Sequence, residues 1–343
     1  MEGDVAALRA GLAALAHHEM PEATDVGINS LERVGSGNSS ENWFFQACWR
    51  RGGREERHEL VLRRTPNSEI VRNSRIDEFL LLKALDDTGL PVPRVFWIDR
   101  DGRWLGRPAV VLARCPGRDD RSLLLPQGKA GLHESQRVAI AAEMVNLLAA
   151  IHSLDVRTLE LPSSIRREQG HPARIELDRQ ERAALDDEIA PCIELRAAAW
   201  WLRDNLPSRS PREVLVHGDF RPANLLVEDG RVTALLDWEF AHVGDPAEDL
   251  GWYLAPRYSR EHFIRDRFER SDFIAAYQRA IGAILDPAAI RWWSIFAQYK
   301  LCAMVLASIR AFIDGDAQRI ALWPKAMLDD LLRAIDLEAS GGL

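Results

Sequence analysis

Between His217 and Asp237 the chain spells out a polar loop, a hairpin and a return, and this order restricts its folds more than any other stretch. The loop His217-Gly218-Asp219-Phe220-Arg221-Pro222-Ala223-Asn224 sets an acid and an amide five residues apart. Leu225 to Val227 and Val232 to Leu236 then read as two short strands about an Asp229-Gly230 turn. Such a hairpin is expected to bring Asp237 back to the mouth of the loop that carries Asp219 and Asn224. Two carboxylates and an amide oxygen suit chemistry on a magnesium-bound phosphate. Asp219 could take a proton from an attacking hydroxyl, while Asn224 and Asp237 hold the metal as hard oxygen ligands. Read as structure alone, Asp219 and Asn224 would only cap helices or stabilise a turn.

The rest of the chain divides by periodicity. Val5 to His17 is a first helical pattern, followed by strand-like segments at Leu31–Ser36, Trp43–Trp49 and Glu59–Arg64. Ile76–Leu85 is an amphipathic helix that Pro91 and Pro93 cannot continue, and two more strands, Val95–Asp99 and Ala109–Arg114, flank Asp101-Gly102. Cys115-Pro116-Gly117 marks a hinge. Beyond it the pattern turns helical at Ser135–His152, Leu195–Leu206, Phe273–Leu285, Arg291–Phe312 and Trp323–Leu337, with a polar loop over Leu154–Pro172. Asp245 reads as the N-cap of a helix starting at Pro246, and Asp249 as a buried anchor for a loop.

Composition narrows the classes. At 343 residues the chain can build two cores, and a formal net charge of -8 argues against general nucleic-acid binding. The arginines of Arg50–Arg57 are broken by Gly52-Gly53 and Glu55-Glu56, which reads as a solvated hairpin. Cys48, Cys115, Cys192 and Cys302 are far apart and form no paired metal motif, consistent with reduced thiols in the cytoplasm. No secretory signal is evident at the N-terminus, and Val138–Ile151, interrupted by Glu143 and Asn146, is too short and polar to span a bilayer. A cytoplasmic protein that engages neither membrane nor nucleic acid is expected.

The His-x-Asp, four residues, Asn pattern with Asp237-Trp238-Glu239 after a hairpin resembles the aminoglycoside-phosphotransferase branch of the kinase-like fold. The resemblance runs from about Leu31 to about Trp323. It implies an α+β, bilobal architecture, with a five-stranded N-lobe and one helix over residues 1–114 and a mostly helical C-lobe over 115–343. It also implies a cofactor pair, ATP (or GTP) and Mg2+. Gly35, Ser36, Gly37, Asn38 and Ser39 lie between the first two strands, where small residues let backbone amides approach a nucleotide phosphate. Arg63 stands at the family's third-strand phosphate cation, on one face with Val61, and Glu78 at its orienting carboxylate, although Asp77 and Glu69 could substitute. Most kinases carry lysine where Arg63 stands. Arg221 matches a cation that reaches the transferring phosphoryl group, while His217 reads as a structural residue.

Val61-Leu62-Arg63-Arg64, Pro91-Val92-Pro93-Arg94-Val95 and Gly244-Asp245-Pro246 look closest to the phosphotransferase group associated with acyl-CoA dehydrogenases. That likeness implies a small-molecule hydroxyl substrate, a hydroxyacyl or other largely apolar compound. Trp200-Trp201, Trp252-Tyr253 and Trp292-Trp293 could supply apolar faces for it, although tryptophans on helices are more often core. Three other readings stand beside this one: an antibiotic phosphotransferase, a catalytically weak nucleotide-binding module, and a metal-dependent hydrolase using His217, Asp219, Asp237 and His242. No zinc-type spacing supports the hydrolase.

Overall fold

Two patterns of burial, alternating and helical, separate two compact units. The computed structural model describes residues 2–34, 41–65, 75–166, 168–210, 212–315 and 325–339. The first unit is Met1–Pro116 with two later segments, Leu159–Ser164 and Thr233–Glu239. The second is Gly117–Thr158, Ile165–Val232 and Phe240–Leu343.

The first unit holds α1 (Glu2–Glu19), β1 (Thr24–Val34), β2 (Glu41–Arg51), β3 (Arg54–Arg64), α2 (Arg75–Leu85), β4 (Val95–Asp99) and β5 (Ala109–Ala113). The strands form one antiparallel sheet in the order β1-β2-β3-β5-β4. Alternation assigns its faces: on β3, Leu60, Leu62 and Arg64 are buried while Val61 and Arg63 point the other way. Leu60 and Leu62 join Trp43, Phe45, Trp49 and Trp97 in a core that Leu8, Leu12 and Leu15 of α1 cover. β1 begins at Thr24, earlier than the expected Leu31. Two register shifts, between Thr24 and Gly27 and between Asn29 and Glu32, break the alternation that would have revealed its first half. The arginine-rich stretch is the solvated β2–β3 hairpin, with Gly52 and Gly53 at φ 57° and 81° and Arg51 paired to Glu56.

The second unit contains β6 (Arg118–Asp119), α3 (Glu134–Ser153), α4 (Pro172–Asp187), α5 (Ile193–Asp204), β7 (Val214–Val216) and β8 (Leu225–Glu228). β9 (Arg231–Leu235) follows, its last three residues counted with the first unit, then β10 (His242–Gly244), α6 (Pro246–Tyr253), α7 (Ser259–His262), α8 (Arg270–Ile281), α9 (Pro287–Ile313) and α10 (Lys325–Ala339). Asp229 and Gly230, at φ 50° and 76°, make the turn between β8 and β9, both residues having positive φ as a tight hairpin requires. The 27 residues of α9 are long and apolar enough to cross a membrane, yet in this chain the helix is core, packed by α4, α5, α6 and α10.

The tryptophan expectation is corrected here. Trp252, Tyr253, Trp292 and Trp293 are buried within the helical unit, where Trp292 lies flat on Phe296 at 5.5 Å and edge-on to Trp293 at 4.9 Å. They fill the core because helices meet there, and they offer no face to a ligand. Trp200, at 68% exposure, and half-buried Trp201 are the exceptions.

Candidate active site

Strand β7 ends at Val216, and the next eight residues make the polar loop. Asp219 is buried, and the Asn224 side-chain amide donates to its Oδ2 and its backbone oxygen, each at 2.8 Å. Both bonds use Asn224 Nδ2, so its Oδ1 is directed elsewhere. Arg221 Nε lies 3.1 Å from Asp219 Oδ1, and its guanidinium sits 5.9 Å from the Tyr258 ring centre. Arg221 therefore engages the acid itself rather than Phe220 or a surface carboxylate. The Asp219 amide donates to His217 Nδ1 at 3.2 Å, which fixes His217 as part of the loop. His242 holds to the Phe240 carbonyl and, through Nε2, to Glu248 at 3.0 Å and Glu176 at 3.4 Å. His217 is thus part of the loop, while His242 is held by the carboxylates of Glu176 on α4 and Glu248 on α6.

The loop backbone is held from behind. Asp249, fully buried on α6, accepts the His217 amide and the Gly218 amide at 2.8 Å each, and His152 Nε2 of α3 at 3.0 Å. Burial alone would raise its pKa, but the bond from His152 and the charges nearby hold the carboxyl below the usual range. Asp245 caps α6 as expected, accepting from Ala247 N at 2.9 Å. Gly218 has φ 80°, and a Cβ there would lie 2.7 Å from the Phe240 oxygen, so only glycine fits. Its carbonyl accepts from Lys300 Nζ of α9 at 2.9 Å, a contact sequence reading missed.

In the first unit, Arg63 Nη1 meets Glu78 at 2.5 Å, and Arg75 Nη1 meets the other oxygen of Glu78 at 2.7 Å. Burial opposes ionisation of Glu78, but Arg63 and then Arg75 overcome it and hold the carboxyl low. Arg63 Nη2 also lies 3.5 Å from Asp237 Oδ1. Asp237 stands after β9 at φ 64°, in a segment tied to this unit by Leu235 N to the Pro91 oxygen at 2.7 Å. Arg64, one residue on, faces the opposite side and pairs with Glu41 at 2.7 Å. The glycine-loop candidates Gly35, Ser36, Gly37, Asn38 and Ser39, and Glu69, lie outside the described residues.

Each of the expected ligands suits a magnesium ion by donor chemistry: Asp237 of the first unit and Asn224 of the second each carry a hard oxygen. Charge balance agrees in the first unit. Asp237, Glu239 and Glu78 confront Arg63 and Arg75, and burial followed by the Asp237 charge pushes Glu239 up to about 7. A cation beside Asp237 would relieve that excess of carboxylate.

Comparison with known proteins accords with this geometry. A mouse protein, acyl-CoA dehydrogenase family member 10, is 33% identical over 60% of this chain. A chicken relative, acyl-CoA dehydrogenase family member 11, is 33% identical over 66%. The chain spans only 19% and 28% of those proteins. Among solved structures, a provisionally named aminoglycoside phosphotransferase from Ralstonia eutropha superposes with a TM-score of 0.70 at 22% identity, over 97% of this chain and 96% of its own. The choline kinase of Streptococcus pneumoniae gives 0.58 at 15% identity, over 95% and 99%. These likenesses place the chain in the kinase-like fold of the aminoglycoside phosphotransferases. The phosphotransferase enzyme family matches residues 30–293, more than half of the sequence, and the chain belongs to that family.

Proposed function

We propose that this chain is an ATP- or GTP-dependent small-molecule kinase that moves a γ-phosphoryl group to an acceptor hydroxyl, with Asp219 as the base. The observation that carries this reading is the held acid. The Asn224 amide orients the Asp219 carboxylate, and the loop around it hangs on buried Asp249. As the acceptor oxygen bonds to phosphorus, its proton passes to Asp219. The bond from phosphorus to the bridging oxygen breaks, and its electron pair leaves with the nucleoside diphosphate. Arg221 transfers its interaction from Asp219 to the phosphoryl group and offsets the charge there.

Arg63 grips the α and β phosphates, and Glu78 with Arg75 behind it aims the guanidinium. An arginine fork chelates two oxygens where a lysine offers a point charge, so nucleotide affinity survives the exchange of residue type. Gly35, Ser36, Gly37, Asn38 and Ser39 supply the covering amides. Asn224 and Asp237 are the magnesium ligands, and the ion, when bound, supplies charge neutralisation on the phosphates. The two-lobe division at about residue 114 belongs to the same reading.

For the acceptor we infer a hydroxyacyl or similarly apolar alcohol. The support is the likeness to proteins named as acyl-CoA dehydrogenase family members. A second reading, antibiotic phosphorylation, has the support that a structural neighbour was solved with streptomycin and ATP, at a TM-score of 0.56 and 17% identity. Turnover on hydroxylated acyl compounds should exceed turnover on kanamycin-like compounds. Saturable phosphorylation of the cationic sugars alone would reverse the acceptor assignment and leave the kinase mechanism standing.

A further inference from the structure

The chain contains four lysines, Lys83, Lys129, Lys300 and Lys325, and uses arginine elsewhere for positive charge. Three of them are exposed, whereas Lys300 is 2% exposed, in the middle of the core helix α9. Its ammonium lies 4.6 Å from the Phe240 ring centre and 4.9 Å from that of Trp252. Taking an ammonium out of water costs several kcal/mol, and a residue needed only to fill this space would be better as methionine. Two aromatic faces recover part of that cost. Lys300 Nζ donates a directional bond to the Gly218 carbonyl at 2.9 Å.

That bond has a particular place. The Gly218 carbonyl belongs to the peptide whose nitrogen is Asp219, and the Gly218 amide, on its other side, donates to Asp249. Gly218 is thus gripped at both of its backbone polar groups, by an anion from α6 and a cation from α9. Its left-handed conformation leaves no Cβ to steady it by packing. Without the Lys300 bond, the Gly218–Asp219 peptide would rely on the longer bond from the Asp219 amide to His217 Nδ1, at 3.2 Å, and could tilt about it. A base displaced by about 1 Å loses on the order of 100-fold in rate.

We propose that Lys300 is a positioning residue for phosphoryl transfer, fixing the Gly218–Asp219 peptide and through it the direction of the Asp219 carboxylate. The inference rests on the proposed role of Asp219. It goes beyond that role by assigning a function to a residue 82 positions from Gly218 in sequence.

Lys300→Met keeps the apolar stem and removes the charge and donor, while Lys300→Arg keeps both. Two readouts separate the claims: release of ADP from magnesium-ATP, and hydrogen exchange of the peptide spanning Val214 to Arg221. Lys300→Met is expected to lower kcat about 10- to 100-fold, with KM for ATP changed by no more than about twofold. Exchange of the loop amides should accelerate, and Lys300→Arg should recover part of both effects. Wild-type kcat in Lys300→Met, unaltered loop exchange, or a loss confined to KM would overturn the proposal. If Lys300→Met does not fold, Lys300→Arg against Lys300→Gln decides, equal activity of the two counting against it. Equal ADP release by wild type and Asp219→Asn would instead overturn the Asp219 assignment, and loop exchange would still judge the grip of Lys300.

Discussion

At the scale of single residues, strand register separates two neighbouring arginines into different duties. Arg63 faces Glu78 and Asp237, whereas Arg64 is buried with Glu41 and donates to the Leu105 carbonyl at 3.0 Å. Arg63→Ala should raise the apparent nucleotide constant about tenfold or more while Arg75 still holds Glu78, and Arg63→Lys should retain part of the function. Arg64→Ala should leave that constant near wild type and cost about 2–4 kcal/mol of stability, since Glu41 loses its nearest cation and keeps Trp43 and the more distant Arg107. Nucleotide titration beside thermal denaturation checks both; the opposite pattern would mean the two faces have been exchanged. Asp237→Ala should weaken magnesium-dependent nucleotide binding more than Asn224→Ala, because it removes a formal charge rather than a neutral oxygen. Titrating nucleotide at several magnesium concentrations compares them, and superimposable curves for wild type and Asp237→Ala would remove it from the metal shell.

At the scale of elements, the pair α6 and α9 does most to hold the loop, because α6 carries Asp249 and α9 carries Lys300. Gly251 lets them touch: a Cβ there would stand 2.4 Å from the Trp293 carbonyl carbon and 2.7 Å from Ser294 N. Those are backbone atoms and cannot step aside. Gly251→Ala should therefore cost about 3 kcal/mol and slow turnover in the fraction that stays folded, read by denaturation and activity together. A variant of wild-type stability would show that the helices can part without penalty. The elements themselves were largely legible. Asp229-Gly230 announced the hairpin, Asp245-Pro246 the start of α6, and alternation gave the face of Arg63. What stayed hidden depends on rotation and on distant contact. Glu78 could be told from Asp77 only once α2 was seen against β3, and the first half of β1 was masked by its bulges. Lys300 was invisible because a lone cation in an apolar helix carries no local signal of the carbonyl it serves.

At the scale of the molecule, the helical unit relies on a buried aromatic stack, and this gives its stability a pH dependence. His262 lies between Tyr253 at 4.5 Å and Tyr258 at 5.1 Å, and Tyr253 stacks on Phe273 at 4.0 Å. Burial pushes the His262 imidazole down to about 4 from an ordinary 6.5, so below neutrality the unfolded chain binds a proton that the folded chain refuses. The stabilisation is complete above pH 6.5 and is lost as pH falls toward 4. Its full size is about 3 kcal/mol, from the conversion of pKa shift to free energy. Denaturation of wild type and His262→Gln across that range should show their difference shrinking on acidification. A difference constant with pH would mean that another group supplies the acid sensitivity.

The central claim is that the held acid of the loop accepts the proton of an attacking hydroxyl. The measurement that meets it most directly is transfer from γ-labelled ATP, with magnesium, to a panel of hydroxyl compounds by wild type and Asp219→Asn. The expected result is label transfer to at least one alcohol by wild type and a loss on the order of 1,000-fold in Asp219→Asn, with ATP binding nearly unchanged. Transfer by Asp219→Asn at the wild-type rate would contradict the account.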